Sequence, residues 1–191
     1  GHYVTMGKRR KVYLYTEAPL SKWLNEIDPE IDFQTRNAKK LFKSEAIFKA
    51  IQDLPPISST GNVETLDNPD GGLRLHVWGD RSWPMVISRP ERAILEFLDE
   101  IPTHQSFEHA AELFTGLSNL SPRQLQASLE NCGSVKVNRL FLWFAERNDH
   151  AWFKRLDLDA INIGSGKRVV AKGGKLDAKY QITVPEGLDG N

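Results

Sequence analysis

Few residues of this chain have the type and spacing to do chemistry. Gly164-Ser165-Gly166-Lys167 has the ending of a phosphate-binding loop. However, the earlier glycine at the required spacing is missing, and Arg168 stands where Ser or Thr must meet the metal ion. A tight turn into a strand is the better reading. Gly164-x-Gly166 is not a dinucleotide fingerprint either, because strand-forming residues follow it where that motif needs a helix. The five histidines are scattered, and none sits four residues from another with an intervening Glu, as in zinc proteases. His104 and His109 stand off a single helical face, which suits surface or capping roles. The single cysteine, Cys132, excludes an internal disulfide and a zinc site of several thiolates. It falls on an apolar helical stripe, which predicts a buried, inert thiol. No Asp or Glu pair is singled out by spacing. The expectation is a chain with no catalytic residue, no metal site and no cofactor.

What remains is positive charge. Lys8, Arg9, Arg10 and Lys11 lead into a strand, and Lys167, Arg168, Lys172, Lys175 and Lys179 decorate a terminal hairpin and its loops. Lysines on strands deter edge pairing, so one reading is solvated, protective surface charge. Flexible cations on turns beside Gly173-Gly174 also suit salt-sensitive phosphate contacts. These nine residues are the candidate nucleic-acid-binding set.

The whole chain sets bounds on both readings. It has 191 residues, 25 Lys plus Arg and 25 Asp plus Glu, so bulk charge alone would not coat nucleic acid. Neutrality is a sum over uneven parts. Residues 1–60 carry ten basic and seven acidic side chains, residues 61–130 five and eleven, and residues 131–191 ten and seven. With 40% hydrophobic and 26% charged residues, a real core and one large domain or two small ones are expected. No apolar run approaches the ~20 residues of a membrane span, and no signal segment opens the chain, so no membrane partner and a cytoplasmic location are expected. Gly1-His2-Tyr3 lacks an initiator Met, which suits a tag scar, a trimmed terminus or the middle of a longer product.

Elements follow from periodicity. Lys11 to Tyr15 and Ile31 to Thr35 read as strands, with a short helix through Leu24 and Ile27 between them. Residues 39–54 read as one or two helical turns. Pro55 to Gly61 and Asn68 to Gly72 are turn chemistry. Val63 to Leu66, Leu73 to Trp78 and Met85 to Ser88 read as strands, the last two joined by a hairpin turn at Gly79 to Ser82. Four helices follow. Ser88 is placed to cap the first, with Pro90 in its first turn and the stripe Ile94, Leu95, Leu98, Ile101. Ser106 opens the second, Ser121-Pro122 the third, and Val135 to Arg147 forms the fourth. Lys167 to Ala171 and Tyr180 to Val184 alternate as strands about a Lys172 to Lys175 turn, before a tail from Gly187. Tryptophans 78, 83, 143 and 152 are expected in packing roles, and Trp23 as an exposed contact. The fold expected is α+β, with mixed and antiparallel strands around a central helical segment. It divides into a strand-rich part at 1–88, a helical segment at 89–157 and a hairpin and tail at 158–191, packing together as one domain.

Four blocks together carry a resemblance to a known family. They are Arg89 to Leu98 (RPERAILEFL), Ser134 to Trp143 (SVKVNRLFLW), Gly164 to Arg168 (GSGKR) and Leu176 to Pro185 (LDAKYQITVP). In order along nearly the whole chain, they resemble the AbiEi antitoxins of type IV (abortive-infection) toxin–antitoxin systems. The resemblance implies a bacterial transcriptional regulator that represses its own operon. It also implies a winged-helix DNA-binding domain ahead of an antitoxin domain, with this chain resembling the part after the winged helix. Implied partners are operator DNA, reached mainly through that winged helix, and a nucleotidyltransferase-like toxin with which no stable complex forms. The family supplies no catalytic residues to carry over. A nucleic-acid (RNA or DNA) binding module without antitoxin role and an enzyme reversing the toxin's product are the alternatives.

Overall fold

The apolar stripes between Pro90 and Asn148 need one another, and a computed structural model shows how they are satisfied. It describes residues 10–16, 21–28, 30–43, 67–68, 72–78 and 83–188. The fold is α+β. The chain divides into two units, Gly1–Lys40 and Leu41–Asn191.

In the first unit, strand β1 (Arg10–Tyr15) pairs with β2 (Ile31–Arg36) in parallel, Arg10 opposite Ile31 and Tyr15 opposite Arg36. Parallel neighbours need a crossover of a dozen or more residues, and the segment between them carries the short helix α1 (Leu24–Ile27). Trp23 and Ile27 are each 59% exposed, as expected of Trp23. The Arg36 guanidinium lies 5.1 Å from the Tyr13 ring centroid. A single helical turn, α2 (Ala38–Leu41), follows β2.

The second unit holds the core. Strands β3 (Asp67–Asn68), β4 (Leu73–Trp78) and β5 (Trp83–Ser88) form an antiparallel sheet in that order. The expected hairpin strands are therefore present, with β5 starting two residues earlier than expected. The expected elements at 44–66 and the 79–82 turn lie outside the described residues, as do the Trp78 and Trp83 side chains.

Helices α3 (Pro90–Asp99), α4 (Phe107–Gly116), α5 (Pro122–Asn131) and α6 (Val135–Asn148) follow. The stripe Ile94, Leu95, Leu98 and Ile101 is fully buried, as are Phe107, Ala110 and Phe114 from α4 and Leu125 and Leu129 from α5. All of them belong to one buried cluster with α6, whose Val137 to Ala145 are buried without a break. A helix that is buried all round is the centre of its domain. Its rings build an aromatic cluster: Phe114 stacks on Phe144 at 5.1 Å, and Phe141 lies 5.8 Å from Trp152. Trp143 and Trp152 thus have the packing roles expected of them. Cys132, at the end of α5, is fully buried and its Sγ faces Ser134 O at 3.8 Å. Burial pushes its thiol up to about 11, so it is inert at neutral pH.

Polar groups tie the helix ends. Ser106 and Ser134 accept from the amides of His109 and Val137 as N-caps. Lys136 Nζ donates to Asp99 O (2.6 Å) and Ile101 O (2.9 Å), closing the C-terminal end of α3 with a positive charge. Trp152 Nε1 donates to Leu117 O at 2.6 Å at the end of α4. The expected cap at Ser88 is not formed. Ser88 is still paired in β5, so Arg89 takes the N-cap position and the Ser88 hydroxyl donates to Glu96 Oε1 at 3.0 Å. Glu96 also pairs with Arg92 at 2.8 Å, both buried, and burial raises its carboxyl above the usual range despite Arg92. Arg92 in turn lies over the Phe42 ring at 4.0 Å.

Among the described residues, no helix is long and apolar enough to cross a membrane.

Candidate nucleic-acid interface

The candidate cations fall in both units. Lys8 and Arg9 lie outside the described residues. Arg10 and Lys11 are exposed at the start of β1. Arg10 faces Glu30 at 3.7 Å, with both side chains more than two-thirds exposed, a pairing that contributes little in water.

The other five are carried by a small ribbon on the second unit. Strand β6 (Lys175–Asp177) pairs antiparallel with β7 (Ile182–Val184). The hairpin is therefore made within 175–184, and the expected strand at Lys167 to Ala171 is not its other arm. That segment instead runs parallel to β7. Arg168 N donates to Gln181 O (2.9 Å), Thr183 N to Arg168 O (3.0 Å) and Ala171 N to Thr183 O (3.1 Å). Two features select this pairing. Gly174 passes so close to Val184 that a Cβ would meet its carbonyl oxygen at 2.2 Å. Asp177 Oδ1 also accepts from Tyr180 N at 2.8 Å, shaping the 178–181 turn.

The register sorts the cations by position. Lys172 and Lys175 lie at the Val184 end of the ribbon, whereas Lys167, Arg168 and Lys179 lie at the Gln181 end. All five are exposed. Lys179 is paired with Glu146 of α6, which also accepts from the Tyr180 hydroxyl at 3.0 Å. Burial beside Glu146 raises the Tyr180 hydroxyl well above its ordinary range, so it stays a donor. The other nearby carboxylate, Asp177, is engaged by Trp143 Nε1 at 3.1 Å and faces Arg147 at 3.9 Å. Arg147 also covers the Trp143 ring at 3.7 Å. At the Gln181 end, Glu146 and Asp177 are thus engaged by Lys179, Tyr180, Trp143 and Arg147, and among the described residues no carboxylate pairs with Lys167 or Arg168.

One residue outside the candidate set organises this end. Arg139 of α6 is 2% exposed. Its Nε donates to Ile163 O (2.6 Å), and one terminal nitrogen donates to Gly166 O (2.6 Å) and Gln181 O (3.1 Å). Among the described residues no carboxylate pairs with it. Desolvation by burial, with a smaller repulsion from Arg168, lowers its pKa below the ordinary guanidinium value. Neighbouring Asn138, also buried, donates to Leu129 O at 3.3 Å and Asn162 O at 3.0 Å. Together the two residues moor the 162–168 segment to α6. The signal for them is in the sequence: Leu140 to Ala145 is six apolar residues in a row, which leaves α6 no solvent face, so adjacent polar side chains must be buried too.

Elsewhere, a cleft of about 410 Å³ opens beside α5, between Arg123 and Arg155. Its central polar group, Gln126, is committed to the Asp157 main chain at 3.0 and 3.1 Å, and its lining has no His, Cys or Ser.

Comparison with known proteins adds what geometry does not. Neither the curated proteins nor the solved structures give a match. A family model described as transcriptional regulator, AbiEi antitoxin, type IV TA system matches residues 9–185. That span includes every described element and all four blocks of the sequence resemblance, so the chain belongs to the AbiEi family of transcriptional-regulator antitoxins of type IV toxin–antitoxin systems.

Proposed function

We propose that this chain is the non-enzymatic antitoxin part of a cytoplasmic regulator that represses its own operon and opposes a nucleotidyltransferase-like toxin. The observation that carries the reading is the family match over residues 9–185. No stable complex with the toxin is required, because type IV antitoxins counter their toxin's effect. The exposed cations of the ribbon support auxiliary contacts with the phosphates of operator DNA. Lys167, Arg168, Lys172 and Lys175 are exposed; Lys179 is paired with Glu146 and contributes less. Arg10 and Lys11, with Lys8 and Arg9 before them, are the second group proposed to contact phosphates. Such contacts fix position and strengthen binding without reading sequence.

A gel-shift salt series on operator DNA tests this. Lys167→Glu combined with Lys175→Glu is expected to weaken retention and to flatten the dependence of affinity on salt, since fewer counterions are released. Unchanged affinity across the series would remove DNA from the proposal.

A further inference from the structure

The turn at Gly164 to Arg168 has more than surface charge. Its backbone alternates in hand, with φ +56° at Gly164 and +74° at Gly166. Alternation of this kind brings successive N–H groups to one concave side, the arrangement that binds anions. Arg139 sets the direction of the outermost peptide. It draws Gly166 O inward at 2.6 Å, and because C=O and N–H are antiparallel across a trans peptide, the Lys167 N–H faces away from the core. Gly164 N is used by Asn162 Oδ1 at 3.0 Å. The N–H groups of Ser165, Gly166 and Lys167, and the Ser165 hydroxyl, have no acceptor or donor among the described residues. A Cβ placed on Gly166 would meet nothing within 4 Å, so the turn is open on that side of Gly166, whereas Gly164 packs against Val135.

Among the described residues, no carboxylate pairs with the charges at this place. Arg139 lies beneath the turn, Arg168 is close enough to repel it, and Lys167 and Arg168 are exposed. A buried cation bound only to carbonyls is costly to desolvate, and an anion over the turn would offset that cost. The failed nucleotide-loop motif is consistent with this. The turn leads into a ribbon, so it lacks the helix that would hold a nucleoside triphosphate, but main-chain N–H groups and two cations suffice for one tetrahedral oxyanion.

We propose that the Gly164–Arg168 turn is a binding site for a single phosphate group, held by the N–H groups of Ser165 to Lys167 and the side chains of Lys167 and Arg168. The group is a phosphodiester of the nucleic-acid backbone or free phosphate. The first source rests on the DNA contact proposed above; the site itself does not.

The test is a ¹H–¹⁵N NMR titration of the 191-residue chain with inorganic phosphate at constant ionic strength, with chloride as control. The Ser165, Gly166 and Lys167 amides are expected to shift and saturate with phosphate and to ignore chloride. Lys167→Gln with Arg168→Gln is expected to weaken binding about tenfold or more, the size of a lost charge-assisted hydrogen bond. Lys172→Gln with Lys175→Gln removes the same charge at the other end of the ribbon and is expected to leave binding unchanged. Absence of the amide shifts, or equal weakening by both pairs, would overturn the site. A second titration with a short duplex DNA separates the sources. Shifts of the same three amides, competed by phosphate, support a backbone phosphodiester. Phosphate binding without a response to duplex keeps the site and overturns its nucleic-acid partner. A duplex response elsewhere on the ribbon, without phosphate binding at the turn, does the reverse.

Discussion

Replacing Arg139 by Met tests how the ribbon is held. The side chain makes three hydrogen bonds to carbonyl oxygens, two at 2.6 Å and one at 3.1 Å. Hydrogen bonds from a charged donor are worth about 1.5–3 kcal/mol each. The full total does not apply, for two reasons. Burying a guanidinium without a counter-ion costs several kcal/mol after relaxation, and Met recovers that cost. Gly166 is exposed, so water can satisfy its carbonyl in the variant. The half-buried carbonyls of Ile163 and Gln181 are less easily rehydrated, at about 1–3 kcal/mol each. The net loss expected is about 2–4 kcal/mol, a large share of the ~5–15 kcal/mol of a typical domain. Urea unfolding followed by the fluorescence of buried Trp143 and Trp152 reads the global value. Hydrogen exchange at the Arg168 and Thr183 amides, which bridge the ribbon, should accelerate beyond the global change. Arg139→Lys should fall between Arg and Met, because one ammonium cannot span all three carbonyls. A loss below about 0.5 kcal/mol, the range of an ordinary surface change, would show that Arg139 does not organise this end of the ribbon.

Leu98→Ala, at a fully buried position of α3, is expected to cost about 2–5 kcal/mol in chemical denaturation; a negligible loss would contradict the core assignment. Gly174→Ala brings a methyl group against the Val184 carbonyl and should cost about 1–3 kcal/mol through forced displacement of backbone. Because no side-chain rotation relieves that clash, an unchanged midpoint would mean that β7 does not lie where described. Cys132 titrates at about 11 in the fold against an ordinary 9.0. The folded chain thus holds this proton more tightly than the unfolded one, a stabilisation present below pH 9 and lost as pH rises through 11. The loss amounts to about 2–3 kcal/mol. Cys132→Ala should flatten that limb of the stability–pH curve, leaving the slope of the same sign that comes from Tyr180; an identical limb would contradict a buried thiol.

The helices were legible because their signals are local. Stripes at Ile94 to Ile101 and Val137 to Phe144, with Ser106 at a cap, need no knowledge of distant residues. Ser88 misled because it satisfies two local rules at once, and strand pairing with Leu73 wins over capping. The ribbon was half legible. Alternation marked Ile182 to Val184 correctly as strand, but Tyr180 and Gln181 belong to the preceding turn, with Gln181 at φ +53°. Of Lys167 to Ala171, only Arg168 forms a β-bridge to β7; which segments pair depends on the close approach of Gly174 to Val184. The candidate interface was legible as charge only. Sequence cannot say that Glu146 neutralises Lys179 across 33 residues, nor that Arg139 turns inward while Arg168 stays exposed. For Arg139, the six apolar residues after it were the available clue.

The most direct measurement is growth of cells co-expressing this chain with the toxin of its own system, proposed above to be nucleotidyltransferase-like. Restored growth is predicted, and it should survive single replacement of each exposed Asp, Glu and His, since no catalytic group is invoked. Growth arrest despite accumulation of the folded chain would contradict the placing of antitoxicity in these residues.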